Sequence, residues 1–427
     1  MSVCCQVGYS EYDMLPIDDL PGVGESLVIE ANSILTVNQG ETATIEGNLY
    51  VNGTGGTIID VQIMNYGELT IKSPSIMCDH ANFTIDNEGT LTIQNSNFVV
   101  KGNSTFNLDN MATCSLTSTS IEVFGGYAYL HNTGSLTVQN GYFKDQFDGT
   151  FIANYGEAEL SETTFVANGA EGKIELFNSG NLQLTHGVFD VNYGGKVNMN
   201  SLTGTLTMTE CNMDVSGASH GNVSKINILG DKATWDSCSF VNNNGFINYL
   251  NTGELNVNNC TVYMTSTDSS TILSSSGPIT FEKFVLSGSG SASITNFDSM
   301  TLVDSTWNSS HSLNLMNNGK LTAENWLLKA TSSTARITFY NGNNATLTFN
   351  VPFIEDVSSS VLTSIGPEGK EFVESSGGII TVTNEGSMDE QGSAALGLDY
   401  LLYVLIVIAA VAVSLFIILK NRKKKQD

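Results

Sequence analysis

The sequence predicts an all-β protein, a right-handed parallel β-helix of about 13 or more coils of 21–27 residues, ending in one C-terminal transmembrane α-helix. Three observations carry this. A phrase of the form N-x-G-x-L-T-I recurs at a nearly fixed interval. Within each copy apolar and polar residues alternate, the period of a strand. Residues 400–419 form an uncharged apolar run of membrane length.

The phrase stands as NYGELTI from Asn65, NEGTLTI from Asn87, NTGSLTV from Asn132, NYGEAEL from Asn154, NSGNLQL from Asn178, NTGELNV from Asn251 and NNGKLTA from Asn317. Degenerate copies start near Asn110, Leu202, Leu229, Ser275, Asn296 and Asn343, so 13 starts lie about 23 residues apart. In L-T-I the outer residues point one way and the Thr the other. A second apolar anchor follows five residues on, as Ile93 to Phe98, Val138 to Phe143, Leu160 to Phe165, Leu184 to Phe189 and Trp235 to Phe240. A third alternating run, such as KIELFN or HSLNLMN, precedes the next copy. Three short strands cannot bury an apolar face alone, so coils must stack, at roughly 4.8 Å each. Thirteen of them make a rod on the order of 60 Å. A period of 22–24 favours right-handed winding; left-handed solenoids use shorter hexapeptide coils. Propeller blades need about 40 residues, and the leucine-rich spacing is absent.

The punctuation also has a reading. Gly two residues after Asn is expected to supply positive φ at a corner. Asn65, Asn87, Asn110, Asn132, Asn154 and Asn178 are expected to stack and pass amide hydrogen bonds along the rod. Cys211, Cys238 and Cys260 each follow a strand's last apolar residue by three, which places them on successive coils. They are either small buried residues in a column where other coils place Ser, Gly or Thr, or the source of one disulfide, Cys211–Cys238 or Cys238–Cys260. Cys4 and Cys5 carry a weak lipidation pattern.

Charge excludes some functions. The chain has 43 acidic and 17 basic residues, net −26; the last eight residues hold five basic and one acidic, leaving 42 against 12 in residues 1–399. Nucleic-acid binding needs a cationic footprint and is not expected. Arg336 is the one arginine before the tail, so arginine-clamped phosphate or carboxylate chemistry is disfavoured. The strings expected of a polysaccharide-cleaving β-helix do not assemble. His186 and His220 lack a preceding Gly, the Asp18-Asp19 pair lies outside the repeats, and Arg336-Ile337-Thr338 lacks a lysine. His80, His131, His186, His220 and His311 are scattered and read as surface-turn residues, as do Asp60, Asp86 and Asp109. No catalytic, cofactor or metal residue is assigned, and no cofactor is expected.

Residues Tyr400–Leu419 span about 30 Å as a helix, and Lys420, Arg422, Lys423, Lys424 and Lys425 follow at once. Positive-inside logic then puts residues 1–399 outside the cell or in a lumen. Seven N-x-S/T sequons, at Asn52, Asn82, Asn103, Asn222, Asn259, Asn308 and Asn344, agree as glycosylation candidates. The N-terminal residues have no signal-peptide character, so either translation starts upstream or the helix itself directs insertion.

Short F-x-x-N strings occur as FIAN (Phe151–Asn154), FVAN (Phe165–Asn168), FDVN (Phe189–Asn192) and FVNN (Phe240–Asn243), the last three at one coil position. This phrasing over residues 40–350 resembles the polymorphic membrane proteins, chlamydial-type β-helix adhesins. The companion GGA[ILV] string is missing, the nearest being Gly125-Gly126-Tyr127 and Gly194-Gly195-Lys196. The bacterial members end in a translocating β-barrel, whereas this chain ends in a helix and basic tail. The resemblance implies a surface adhesin or antigen.

The expected layout is a lead or cap (1–32), the β-helix (33–365), a stalk that holds a final coil, GGIITVTNEG (366–399), the span (400–419) and a cytoplasmic tail (420–427). The expected function is a single-pass plasma-membrane surface protein that displays an acidic rod for adhesion or antigenic display. Its partners are the membrane and a host or neighbouring cell-surface protein or glycan. The alternatives are a membrane-tethered pectin-lyase-like enzyme and a tail-anchored intracellular scaffold.

Overall fold

The computed structural model describes residues 12–390, apart from 54–56, 218–222, 325, 333, 342–345, 351–361, 366–372, 376–378 and 385–386. The apolar run 400–419, the basic tail, Cys4, Cys5, His220, Asn222 and Asn344 lie outside the described residues. Among the described residues no helix is long and apolar enough to cross a membrane.

The chain winds as a parallel β-solenoid of about 14 turns. One turn shows the plan. Ala81–Asn87 forms the first strand, Thr90–Gln94 the second and Asn97–Lys101 the third. Each pairs in parallel with its counterpart one turn away, as Leu91 with Leu69 and with Cys114. First and second strands join one 29-stranded sheet; third strands make a separate 15-stranded sheet. Alternation decides which side chains enter the core. Leu69 and Ile71 are buried while Thr70 faces out, and Phe98, Phe143, Phe165, Phe189 and Phe240 are all fully enclosed. The phenyl rings of Phe143, Phe165 and Phe189 stack in turn, 5.3 and 4.7 Å between centroids.

Among the described residues the first pairing is Asp13–Met14 against Ser33–Ile34, and Leu15, Ile17 and Leu20 rest on the near end of the core. At the far end, Ile379–Asn384 pairs with Arg336–Asn341.

Three corners turn each coil. At the corner after the first strand, the carboxamide of each repeat asparagine enters the core and bonds its counterpart. Asn65 Nδ2 donates to Asn87 Oδ1, Asn87 to Asn110 and Asn110 to Asn132 at 2.7 Å, Asn132 to Asn154 and Asn154 to Asn178 at 2.8 Å. Each Nδ2 also reaches a main-chain carbonyl of the next turn, such as Thr113 O from Asn87 at 2.9 Å. All six are at most 2% exposed, so these bonds replace water that the amides gave up.

The ladder has a direction, and its breaks show it. Val37 occupies the column before Asn65, so Asn65 Oδ1 is buried with no donor. Ser201 accepts from Asn178 at 3.0 Å, and Gly230 follows in register. The Tyr249 hydroxyl reaches the space beside Gly230 and donates to Asn251 Oδ1 at 3.4 Å. Ser275 accepts from Asn251 but spends its own hydrogen on Gly277 O, which leaves Asn296 Oδ1 buried without a partner. The ladder resumes from Asn296 to Asn317 at 2.8 Å.

The expectation of positive φ at the repeat glycines does not hold: Gly67, Gly89, Gly134, Gly156 and Gly180 keep ordinary backbone angles. Close stacking is the reason for glycine here. A Cβ on Gly89, Gly134, Gly156 or Gly180 would overlap a carbonyl oxygen of the preceding turn. Ala112 takes the place of glycine once, and the hydrogen bond from Thr113 N to Gly89 O stretches to 3.3 Å, against 2.8 Å from Thr90 N to Gly67 O. Left-handed backbone instead falls at the corner before the third strand. Asn95, Ser118, Asn140, Glu162, His186, Glu210, Ser237, Asn259, Lys283 and Asp304 have φ of 48–56° on ten consecutive turns. Each of their N–H groups reaches a carbonyl of the following turn at 2.8–3.1 Å. Ten inter-coil bonds offset the roughly 1 kcal/mol that an L-residue loses there.

Two substitutions test the ladder. Asn110→Ala strands the Oδ1 of Asn132 and weakens Asn87, and is expected to cost about 3 kcal/mol in urea unfolding. Ser275→Asn gives Asn296 a donor and is expected to stabilise by about 1 kcal/mol.

Candidate functional site

The polar outer faces divide into columns along the rod, and one region differs from the rest. In GYAYLHN, Ala128, Leu130 and Asn132 enter the core, so Tyr127, Tyr129 and His131 must face outward. On the next turns Phe151 pairs with Tyr129 and with Glu175, and Ala153 with His131 and with Phe177. The Tyr129 and Phe151 rings stack at 4.9 Å and 11°, and Tyr127 leans on both, at 6.0 and 6.3 Å. Gly149 leaves room for the Phe151 ring to lie over it. Tyr155 meets His131 edge-on at 5.2 Å and Phe177 at 5.5 Å. Tyr127, Tyr129 and Tyr155 remain 38–50% exposed, so the stack is a surface and not a stray piece of core.

Charged groups border the stack. Asp86 and Asp109 stand in register on adjacent turns beside His131. Burial against the sheet and the negative charge of Asp86 hold the Asp109 carboxyl above the usual carboxylate range, while His131, 3.3 Å away, pulls the other way. Gln62 Nε2 donates to Asp86 at 2.5 Å. Lys173 pairs with Glu175 at 2.6 Å, and its ammonium lies 5.6 Å from the Phe151 centroid. A shallow groove lined by Tyr155, Gly156, Glu157, Gly180 and Gly204 runs along the glycine column. Asp60, Asp86 and Asp109 thus sit on strands, not in turns as the sequence suggested. Outward strand positions are as open to water as turns, which is why acidic residues tolerate both.

The three cysteines do share a column, and all are buried free thiols. Their contacts repeat those of hydroxyls in other turns. Ser96 Oγ donates to Gln94 O and Ile71 O at 3.0 and 3.3 Å; Thr119 repeats this with Thr117 O and Ile93 O. Cys211 Sγ reaches Thr209 O and Leu184 O, and Cys238 Sγ reaches Asp236 O and Met208 O, at 3.4–3.5 Å. The backbone N–H of Cys238 donates to Cys260 Sγ at 3.2 Å. Hydrogen bonds from both flanking thiols lower the Cys238 thiol and raise those of Cys211 and Cys260. Cys78 and Cys114, elsewhere in the core, are pushed up to about 12 by burial. The trio serves as Ser and Thr serve in neighbouring turns.

Of the sequon asparagines, Asn52, Asn103 and Asn259 are exposed. Asn82 is half-buried and donates to Asp60 at 2.8 Å, and Asn308 is half-buried with its Oδ1 enclosed. Among histidines, His80 pairs with Asp79 at 2.8 Å and His186 with Glu210 at 3.0 Å. Among the described residues no group of three or more His, Cys, Asp or Glu side chains is placed to hold a metal ion.

Comparison with protein-family models, with curated proteins and with solved structures finds no match.

One buried carboxylate stands apart. Asp145 occupies a core position, accepts from Lys173 N at 3.1 Å and lies 3.3 Å from the Thr150 hydroxyl. Burial raises it from 3.8 to about 6. Between those values the folded protein holds a proton that the unfolded chain lacks, so stability falls as pH rises through the window. By pH 7 the ionised group costs about 3 kcal/mol. Asp145→Asn is therefore expected to gain stability relative to the parent between pH 4 and 7, read from urea midpoints at both. In the thiol column, Cys238→Ser keeps the same carbonyl partners and is expected to change stability by less than about 1 kcal/mol. A larger loss would show a role beyond filling the column.

Proposed function

We propose that the protein is a single-pass membrane surface protein whose rod stands outside the cell for adhesion or antigenic display, with the winding right-handed as the coil length favours. One observation carries the reading. The solenoid spends its apolar residues inward and presents in-register outer columns, and the same chain continues into a 20-residue apolar run followed by five basic residues. A rod on a membrane peg suits contact at a distance. The FVAN, FDVN and FVNN phenylalanines, Phe165, Phe189 and Phe240, fall in one inward column, with Met213 between the last two, which supports the likeness to polymorphic-membrane-protein adhesins. N-glycans on Asn52, Asn103 and Asn259 belong to this reading, because those side chains are open to solvent.

Surface labelling of intact cells with a membrane-impermeant amine reagent, followed by glycosidase digestion, tests it. The expected outcome is labelling of the large domain and a drop in mass on digestion, reduced by Asn103→Gln and Asn259→Gln. A shielded, unmodified domain with an accessible N-terminal side in the cytosol contradicts it.

A further inference from the structure

Among the described residues, exposed apolar side chains elsewhere on the rod, such as Met111, Tyr193 and Phe297, make no ring contact, whereas Tyr127, Tyr129 and Phe151 contact one another and Tyr155 contacts His131 and Phe177. Rings of this protein already accept cations. Lys173 lies over Phe151, and Lys144 lies 5.5 Å from the Phe124 centroid. Yet internal cations are too few to fill the face. Residues 1–399 hold 12 basic against 42 acidic side chains, with Arg336 as the single arginine, many turns away. Lys173, at the edge of the stack, is already paired with Glu175. On the other edge Asp109 stands against Asp86, two like charges with one histidine between them and the rings. Exposed aromatic faces next to surplus carboxylates match a guanidinium, which stacks on a ring and pairs with a carboxylate at the same time. Beside Tyr155 lies the shallow groove over Gly156, Gly180 and Gly204, bordered by the Glu157 carboxylate.

We infer that the face formed by Tyr127, Tyr129, Phe151, Tyr155 and the Asp86–Asp109 pair docks an arginine-rich extended segment of another protein. The inference rests on the adhesion reading and deepens it by naming the partner chemistry. Polyanionic partners are excluded by the same charge surplus.

Fluorescence anisotropy with the purified full chain in detergent micelles and a fluorescein-labelled (Arg-Ser)6 peptide tests it. The expected result is salt-sensitive binding that falls roughly tenfold or more in Tyr129→Ala/Tyr155→Ala and in the isosteric Asp109→Asn, with unchanged circular dichroism. The remote exposed pair Asp214→Asn/Tyr263→Ala is expected to bind as the parent does. Equal losses in the remote pair would mean diffuse attraction to an acidic rod and overturn the inference. So would absence of peptide binding, or binding of cellohexaose in its place. Those failures leave surface labelling untouched, whereas a shielded domain in that assay sinks the adhesion reading without altering the peptide measurement.

Discussion

The carboxamide ladder inside the first corner is the interaction on which the rest of the rod depends. A single coil has one apolar side and nothing to cover it but another coil, so hydrophobic burial alone requires stacking but is tolerant of slippage. The amides are not tolerant. A slip of one residue takes each carboxamide out of the core and strands its neighbours' donors and acceptors, at about 1–3 kcal/mol apiece. Five consecutive links from Asn65 to Asn178 therefore set the register that the three strand ladders then follow. Around Ser201, Gly230 and Asn251 the strands on both sides of this corner merge: Lys196–Thr209, Lys225–Asp236 and Phe246–Asn258 run through as single long strands, with register shifts between them.

Much of this was legible in the sequence because it rests on period and alternation, which survive without coordinates. The three strands per repeat, the inward Leu69, Ile71 and Phe98, and the asparagine ladder follow from spacing alone. What was not legible depends on backbone placement. The repeat glycines look like turn residues, but their role is steric, set by a carbonyl one turn below that no local pattern reveals. The left-handed corner carries Asn, Ser, Glu, His, Lys and Asp without common chemistry, since what holds it is a main-chain bond to the next turn. For Cys211, Cys238 and Cys260 the spacing gave the shared column and left open buried small residues or one disulfide; their free thiols and carbonyl partners match the first.

The aromatic face was hidden for a different reason. Phe151 lies 22 and 24 residues from Tyr129 and Tyr127, one turn away, and an aromatic residue in a strand ordinarily reads as core. The signal was the alternation itself: with Ala128 and Leu130 inward, the tyrosines had to face out. Stacked register then converts scattered aromatic residues into one continuous surface, beside carboxylates that the same register brings into mutual repulsion. A rigid parallel solenoid is well suited to this, because every outward column is a line of side chains about 4.8 Å apart.

Hydrogen exchange of the asparagine side-chain amides tests the central claim most directly. The account predicts that the Nδ2 hydrogens of Asn65, Asn87, Asn110, Asn132 and Asn154 exchange as slowly as the strand amides around them, while those of exposed Asn52 and Asn259 exchange at the rate of free asparagine. Fast exchange throughout the column, with the backbone still protected, would show that the coils are held in register by something other than the ladder.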